Sequence, residues 1–163
     1  MTNARTLAAI VAGLMVVGGC GISSEVDALK KMPPKGDAFM HALQLEYAAL
    51  AGKADARGSD DSAEFYYQKG LTAAQGKKVD PLAMKDRKLP KGVDDEVEAA
   101  RLALVAVLRG GSIKKAPKDT ALAQATFDCW MEEASRGAPA AVIKECRDSF
   151  DKALKISDAA MHK

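Results

Sequence analysis

From Gly36 onward, apolar residues recur at helical spacing and no stretch alternates as a strand would. Phe39, Leu43, Tyr47 and Leu50 fall on one stripe, opened by Asp37 as N-cap and closed by Gly58, which predicts a first helix over about 37–56. Ser59 or Asp60 caps a second, ending near Gly76, with Ala63, Tyr66, Tyr67, Gly70, Leu71 and Ala74 inward. The short Arg57-Gly58-Ser59 link makes the two an antiparallel hairpin. A connection over 77–92, with Pro81 and Pro90, precedes a third helix. That helix opens at Asp94 or Asp95, whose charge suits a helix N-terminus, and closes at Arg109-Gly110-Gly111. Its stripe is Val97, Ala100, Leu104, Val105 and Leu108. Pro117 opens a fourth, running to about Arg136, with Leu122, Ala125, Thr126, Cys129 and Trp130 inward. Gly137 and Pro139 mark a turn into a fifth, from about Ala140 to Ala160, with Ile143, Cys146, Phe150, Ala153 and Leu154 inward.

The expected fold is all-α, about five helices in antiparallel hairpins, as a helical bundle or a tetratricopeptide-like stack. The stack is suggested by Tyr47, Leu50, Ala51, Ala63, Tyr67 and Gly70, spaced as in a tetratricopeptide helix pair. Against it, Ala54 and Gln75 replace the later aromatic and the closing proline, and no second copy follows in register. An ordinary alanine-rich hairpin explains the same spacing.

The N-terminus has a different pattern. Arg5 supplies a positive charge, Leu7 to Val17 is apolar, and Val17-Gly18-Gly19-Cys20 follows. This resembles a bacterial lipobox, in which two small residues precede the cysteine that becomes lipidated. The expected division is a signal peptide over 1–19, lipidated Cys20 and a tether over 20–36, and a helical periplasmic domain over 37–163. Lipidation would anchor the chain with more acyl chains than the two that make attachment stable. By resemblance to Gram-negative lipoproteins, Gly21 in place of aspartate implies the outer membrane, with the domain facing the periplasm.

Composition narrows the functions. The 163 residues suit one domain. Lys plus Arg total 24 against 22 Asp plus Glu, and a formal net charge of +2 excludes a dedicated nucleic-acid binder. Aromatics are 5% with one Trp, so the core must rest on Ala, Leu, Val and Met. After the N-terminus no apolar run reaches the length of a membrane span.

Candidate chemistry is sparse. His41 and His162 stand apart from any metal-binding spacing, and there is no His-Glu-x-x-His or Cys-x-x-Cys. No serine lies in Gly-x-Ser-x-Gly, and the glycines punctuate helices rather than cradle phosphate. No catalytic residue, metal or cofactor is expected. Glu132-Glu133 and Asp94-Asp95-Glu96 are carboxylate clusters in a compartment rich in glycan. Neighbours on a helix point in different directions, so helix-end charge on a solvated face is the expected role. Lys77, Lys78, Lys85, Arg87, Lys88 and Lys91 outweigh Asp80 and Asp86 in the long connection. Lys114, Lys115 and Lys118 add a second basic stretch. If both lie at one end of the domain, they form a cationic rim for anionic headgroups or an acidic partner. Solvated loops are the plainer reading.

Several segments together resemble a known family. They are Glu46-Tyr47-Ala48-Ala49-Leu50-Ala51, Lys69-Gly70-Leu71 with Ala73-Ala74-Gln75-Gly76, and Arg87-Lys88-Leu89-Pro90. Ala123 to Trp130 and Cys146-Arg147-Asp148-Ser149-Phe150 complete the set, Phe127-Asp128-Cys129-Trp130 being the most specific. Over about residues 38–154 the chain resembles the N-terminal helical region of proteobacterial OmpA-family lipoproteins. The resemblance implies lipidation, an envelope location and a helical domain. In that family a peptidoglycan-binding domain follows, with an Asn-x-x-Leu-Ser…Arg signature that these 163 residues lack. Peptidoglycan binding is therefore not carried over.

Cys129 and Cys146 remain as an even pair in an oxidising compartment once Cys20 is lipidated. Their midpoint falls at the turn around Gly137, so they should lie opposite each other on antiparallel helices. Ala125 and Ala153 would allow the close approach a disulfide needs. Closing that loop should contribute roughly 3 kcal/mol.

The function expected is a non-catalytic outer-membrane lipoprotein, held to the membrane through Cys20, whose helical domain binds an envelope protein or organises the envelope. The alternatives are a periplasmic enzyme acting on glycan or peptide, with carboxylates drawn from separate helices, and a tetratricopeptide-type assembly adaptor. An enzyme should show a deep pocket with converging carboxylates of shifted pKa, a binding module a groove or apolar face.

Overall fold

The computed structural model describes residues 22–162. The segment expected to be a signal peptide, with Cys20 and the lipobox-like residues, lies outside the described residues. The described residues are helical, with no strand among them. The helices are α1 (Ser23–Lys31), α2 (Ala38–Ala56), α3 (Asp60–Ala74), α4 (Asp94–Arg109), α5 (Ser112–Lys115), α6 (Pro117–Arg136) and α7 (Ala140–Met161). A single 3-10 turn, Met84–Asp86, interrupts the long connection.

Five of these match the expected periodic segments. Asp37 caps α2, its side chain accepting a 2.9 Å hydrogen bond from the Met40 amide. Pro117 sits at the start of α6, and Gly137 ends it with φ +67°. There the Ala138 amide donates to the Glu133 carbonyl at 3.0 Å, satisfying a helix-end acceptor.

α1 corrects the tether reading. Residues 23–31 form a helix that packs on α2 and buries Val26 and Leu29. Its C-terminal carbonyls find a partner in the buried Gln44, whose Nε2 donates to the Leu29 and Met32 oxygens at 2.7 and 2.8 Å. At its other end Asp55 accepts from the Ile22 amide at 3.2 Å and the Ser23 hydroxyl at 2.5 Å. Those partners lie far along the chain, which is why local periodicity did not reveal the helix. α5 is the other unforeseen helix, a single turn bearing Lys114 and Lys115.

α2 and α3 are antiparallel: the chain entering α2 meets the chain leaving α3, the Lys35 amide donating to the Ala74 carbonyl at 3.1 Å. Gly70 permits the close approach. A Cβ there would lie 2.8 Å from Leu29 Cδ2 and 3.3 Å from both the Gln44 oxygen and Tyr47 Cβ.

α6 is the central element. It packs on α2, α4 and α7, and residues 123–134 are buried without interruption. A helix enclosed on all sides needs apolar or satisfied polar groups around its whole circumference. On the α7 side, Phe150 meets Phe127 and Trp130 with ring centroids 5.7 and 6.1 Å apart. Cys129 and Cys146 face each other there, with Cα atoms 5.6 Å apart and sulfurs at disulfide distance, 2.01 Å.

Candidate functional site

The polar groups on α6 are arranged, not scattered. Gln124, Asp128 and Glu132 are spaced by four residues and share one face of the helix. Each holds a different point of the connection over 77–92. Gln124 Nε2 donates to the Val79 carbonyl at 2.7 Å. Asp128 Oδ1 accepts from the Leu82 amide at 2.8 Å. Glu132 pairs with Arg87. The connection is thus a strap that climbs α6 by two turns, about 12 Å. From the other side, Arg101 on α4 donates to the Leu82 carbonyl at 2.7 Å. Val79 and Leu82 are buried under the strap, and the Arg87 guanidinium lies 4.7 Å from the centre of the Phe65 ring.

The three buried acids of α6, Asp128, Glu132 and Glu133, are committed to cations of the same chain. Asp128 Oδ2 accepts from the Tyr47 hydroxyl at 2.6 Å and from Lys69. Lys69 also donates to the Asp80 carbonyl at 2.8 Å, and so binds the strap as well. Glu132 pairs with Arg136 as well as Arg87. Glu133 Oε1 accepts from Arg57 and from the Tyr66 hydroxyl, both at 3.0 Å. Burial, reinforced by Asp128, holds the Tyr47 phenol well above its ordinary range, and burial with Glu133 beside it does the same to Tyr66. Isolated carboxylates in such surroundings would cost several kcal/mol each, so the pairing is a condition of the fold.

These positions correct one sequence expectation and bear out another. Glu132 and Glu133 do not sit on a solvated face: they are 0% and 2% exposed. They do point in different directions, one to the strap and one to the α2–α3 turn. The missed signal was the four-residue spacing of Gln124, Asp128, Glu132 and Arg136, which sets a polar stripe along one face of a helix that is otherwise largely apolar from Leu122 to Ala134.

Arg87 likewise is not a free cation for external anions, being paired inside with Glu132. Lys77, Lys78, Lys85, Lys88 and Lys91 are exposed, with Lys78 set 2.7 Å from Asp80. The strap's climb separates them. Lys77 and Lys78 lie before the Gln124 contact, toward the start of α6, where Lys114, Lys115 and Lys118 also lie. Lys85 falls between the Leu82 and Arg87 contacts, and Lys88 and Lys91 follow the Arg87 contact.

Two clefts remain. A groove of about 430 Å³ runs between the start of α2, the strap, α4 and α5. Phe39, Met40, Val105, Leu108 and Ile113 line it, with Arg101 and Arg109 among its cations. The second, about 100 Å³, lies between α2, α6 and α7 beside the Cys129–Cys146 pair. Glu46 and Glu145 both line it. Burial raises the Glu46 carboxyl against the pull of Lys53, while a 2.7 Å hydrogen bond from Lys53 lowers that of Glu145. Among the described residues no group of three His, Cys, Asp or Glu is placed to hold a metal ion, and no helix is long and apolar enough to cross a membrane. His41 is exposed on α2, and His162 lies 3.9 Å from Asp158.

No protein-family model matches the chain, and no match was found among curated proteins or solved structures.

Proposed function

We propose that the chain is a non-catalytic lipoprotein of the outer membrane, anchored through Cys20, whose helical domain binds an envelope protein on the periplasmic side. The resemblance to the helical region of OmpA-family lipoproteins belongs to the same proposal. The observation that carries the binding role is the groove beneath α2 and α4. Its volume of about 430 Å³ lies within the ~300–1,000 Å³ usual for ligand sites, and its apolar walls are edged by charges of both signs, Lys78, Arg101 and Arg109 with Asp37 and Asp80. The buried acids of α6 favour this reading too, since each is bound to lysine, arginine or tyrosine. Groups so committed hold structure rather than move protons. Of the two architectures considered, a bundle around a central helix is favoured, because a stack leaves its helices open on a concave side and α6 is enclosed.

One observation favours the enzyme alternative: Glu46 and Glu145 come from separate helices and are shifted in opposite directions. Their pocket, at about 100 Å³, is smaller than ligand sites usually are.

Photo-crosslinking in intact cells tests the reading. A photoreactive residue at Ile113 should give a discrete adduct with an envelope protein, lost in Cys20→Ala. Equal yields from Ile113 and from Lys152, on the outer side of α7, would overturn the groove assignment. A soluble wild-type chain with an unmodified N-terminus would overturn the anchor. Peptidoglycan turnover by the purified protein, abolished by Glu46→Gln or Glu145→Gln, would install the enzyme reading instead.

A further inference from the structure

α4 covers the strap side of α6 with one face and leaves the other without a partner among the described residues. Its buried face is Val97, Leu104 and Val107. On the opposite face, Ala99, Leu102, Ala103 and Ala106 are exposed, and Leu102 at 64% is the most exposed large apolar side chain among the described residues. No charge interrupts that face from Ala99 to Ala106. Beside it, a groove of about 300 Å³ runs between α4 and α7, with Ala103, Ala106, Val107 and Leu154 in its wall. The charges stand at the two ends, opposite in sign. Asp94, Asp95, Glu96 and Glu98 begin the helix; Arg109 ends it, and Lys114 and Lys115 follow on α5. Glu96 is already paired with Arg147, whereas Asp95, Glu98 and Arg109 enter no ion pair among the described residues.

A helix face with an apolar middle, an acidic start and a basic end is complementary to itself when reversed. A two-fold axis does that reversal, since residue i then meets residue j and j meets i. With the axis between Leu102 and Ala103, Leu102 of one copy fits over Ala103 of the other, flanked by Ala99 and Ala106. Asp95 of each copy comes level with Arg109 and Gly110 of the other. The small side chains allow the helices to approach closely, and Leu102 supplies the knob. We propose that this face of α4 binds a second copy of the same chain, antiparallel, α4 against α4.

The surface is modest: a 16-residue helix is about 24 Å long, and one helix pair buries less than the ~1,200 Å² of stable interfaces. The dimer is therefore a weak and reversible one. Confinement of both copies to one membrane would raise their effective concentration and favour it. The proposal rests on α4 alone and holds whether or not the groove under α2 has an occupant.

The test uses the full chain in its own cells, with two differently tagged copies expressed together. A photoreactive residue at Ala103 should yield a product of twice the chain mass carrying both tags, and one at Lys152 should not. Leu102→Lys should abolish it. Arg109→Glu, or Asp95→Arg with Glu98→Arg, should each lower the yield roughly fivefold or more, since the two-fold repeats every reversed contact. All three reversals together should recover it, a result that damage to the fold does not produce. Circular dichroism of each variant separates lost pairing from lost helix. A product of some other mass from Ala103 would mean that a different protein covers the face, and would overturn the proposal. So would the absence of any product, or a failure of the triple variant to recover with its helix content intact.

Discussion

The Tyr47 hydroxyl donates a 2.6 Å hydrogen bond to Asp128 across a sequence separation of 81 residues, and both side chains are fully buried. This contact joins α2 to α6 at the level where Lys69 and the strap also meet Asp128. Asp128 thus accepts from three separate parts of the chain at once, and the order of substitutions around it follows. Asp128→Asn keeps the shape but leaves the Lys69 ammonium, 17% exposed, without its counter-charge. It should cost about 3–5 kcal/mol of stability. Tyr47→Phe removes one hydrogen bond to a charged acceptor and should cost about 1.5–3 kcal/mol. Urea denaturation of the two variants checks the order; an Asp128→Asn within ~1 kcal/mol of wild type would contradict the account.

The two buried tyrosines set an alkaline limit. Both phenols are raised above their ordinary value of 10.0, by burial first and by neighbouring carboxylates second. A raised folded-state pKa means that the unfolded chain releases protons more readily, so stability is intact below pH 10 and falls as pH rises beyond it. Absorbance near 295 nm should show two of the three tyrosines ionising together with unfolding rather than before it. Gradual ionisation of all three with unchanged circular dichroism would refute this.

Glu46 works in the other pH range. Burial raises its folded-state pKa above the ordinary 4.5, so its charge opposes folding above that raised value and ceases to matter below the ordinary one. Glu46→Gln should therefore be more stable than wild type at neutral pH, with the gap closing as the medium is acidified below about pH 4. Glu145 has the opposite sign: its lowered carboxyl supports the fold above the ordinary value and loses that support as pH falls through the lowered one. Its pair with Lys53 is exposed on both sides, so Glu145→Gln should cost less than about 1 kcal/mol at neutral pH. Denaturation midpoints of the two variants at several pH values should move in opposite directions.

Cys129 and Cys146 are 17 residues apart, and closing a loop of that length should contribute roughly 3 kcal/mol. Thiol counting on denatured, unreduced mature protein should find neither free, and reductant should lower the denaturation midpoint. Two free thiols would refute the bridge.

The helices α2, α3, α4, α6 and α7 were legible because each has an apolar stripe, bounded by start or stop residues, within its own segment. Asp37, Pro117 and Gly137 act on neighbours a few residues away, so their roles follow from local chemistry. The facing of Cys129 and Cys146 was legible for a related reason: a short turn between antiparallel helices fixes which positions are level. α1 was not, because a nine-residue helix has too few intrahelical bonds to stand alone and owes its stability to Gln44 and Asp55, far along the chain. The fate of the charges was equally hidden. Glu132, Glu133 and Arg87 look the same in sequence as Glu98, Lys85 and Lys88. The first three are internal and the others exposed because α6 lies at the centre and the strap crosses it in one register. Periodicity says which residues share a helix face; only the packing of distant elements decides whether that face meets water, and hence whether a charge is solvated or must find its partner inside.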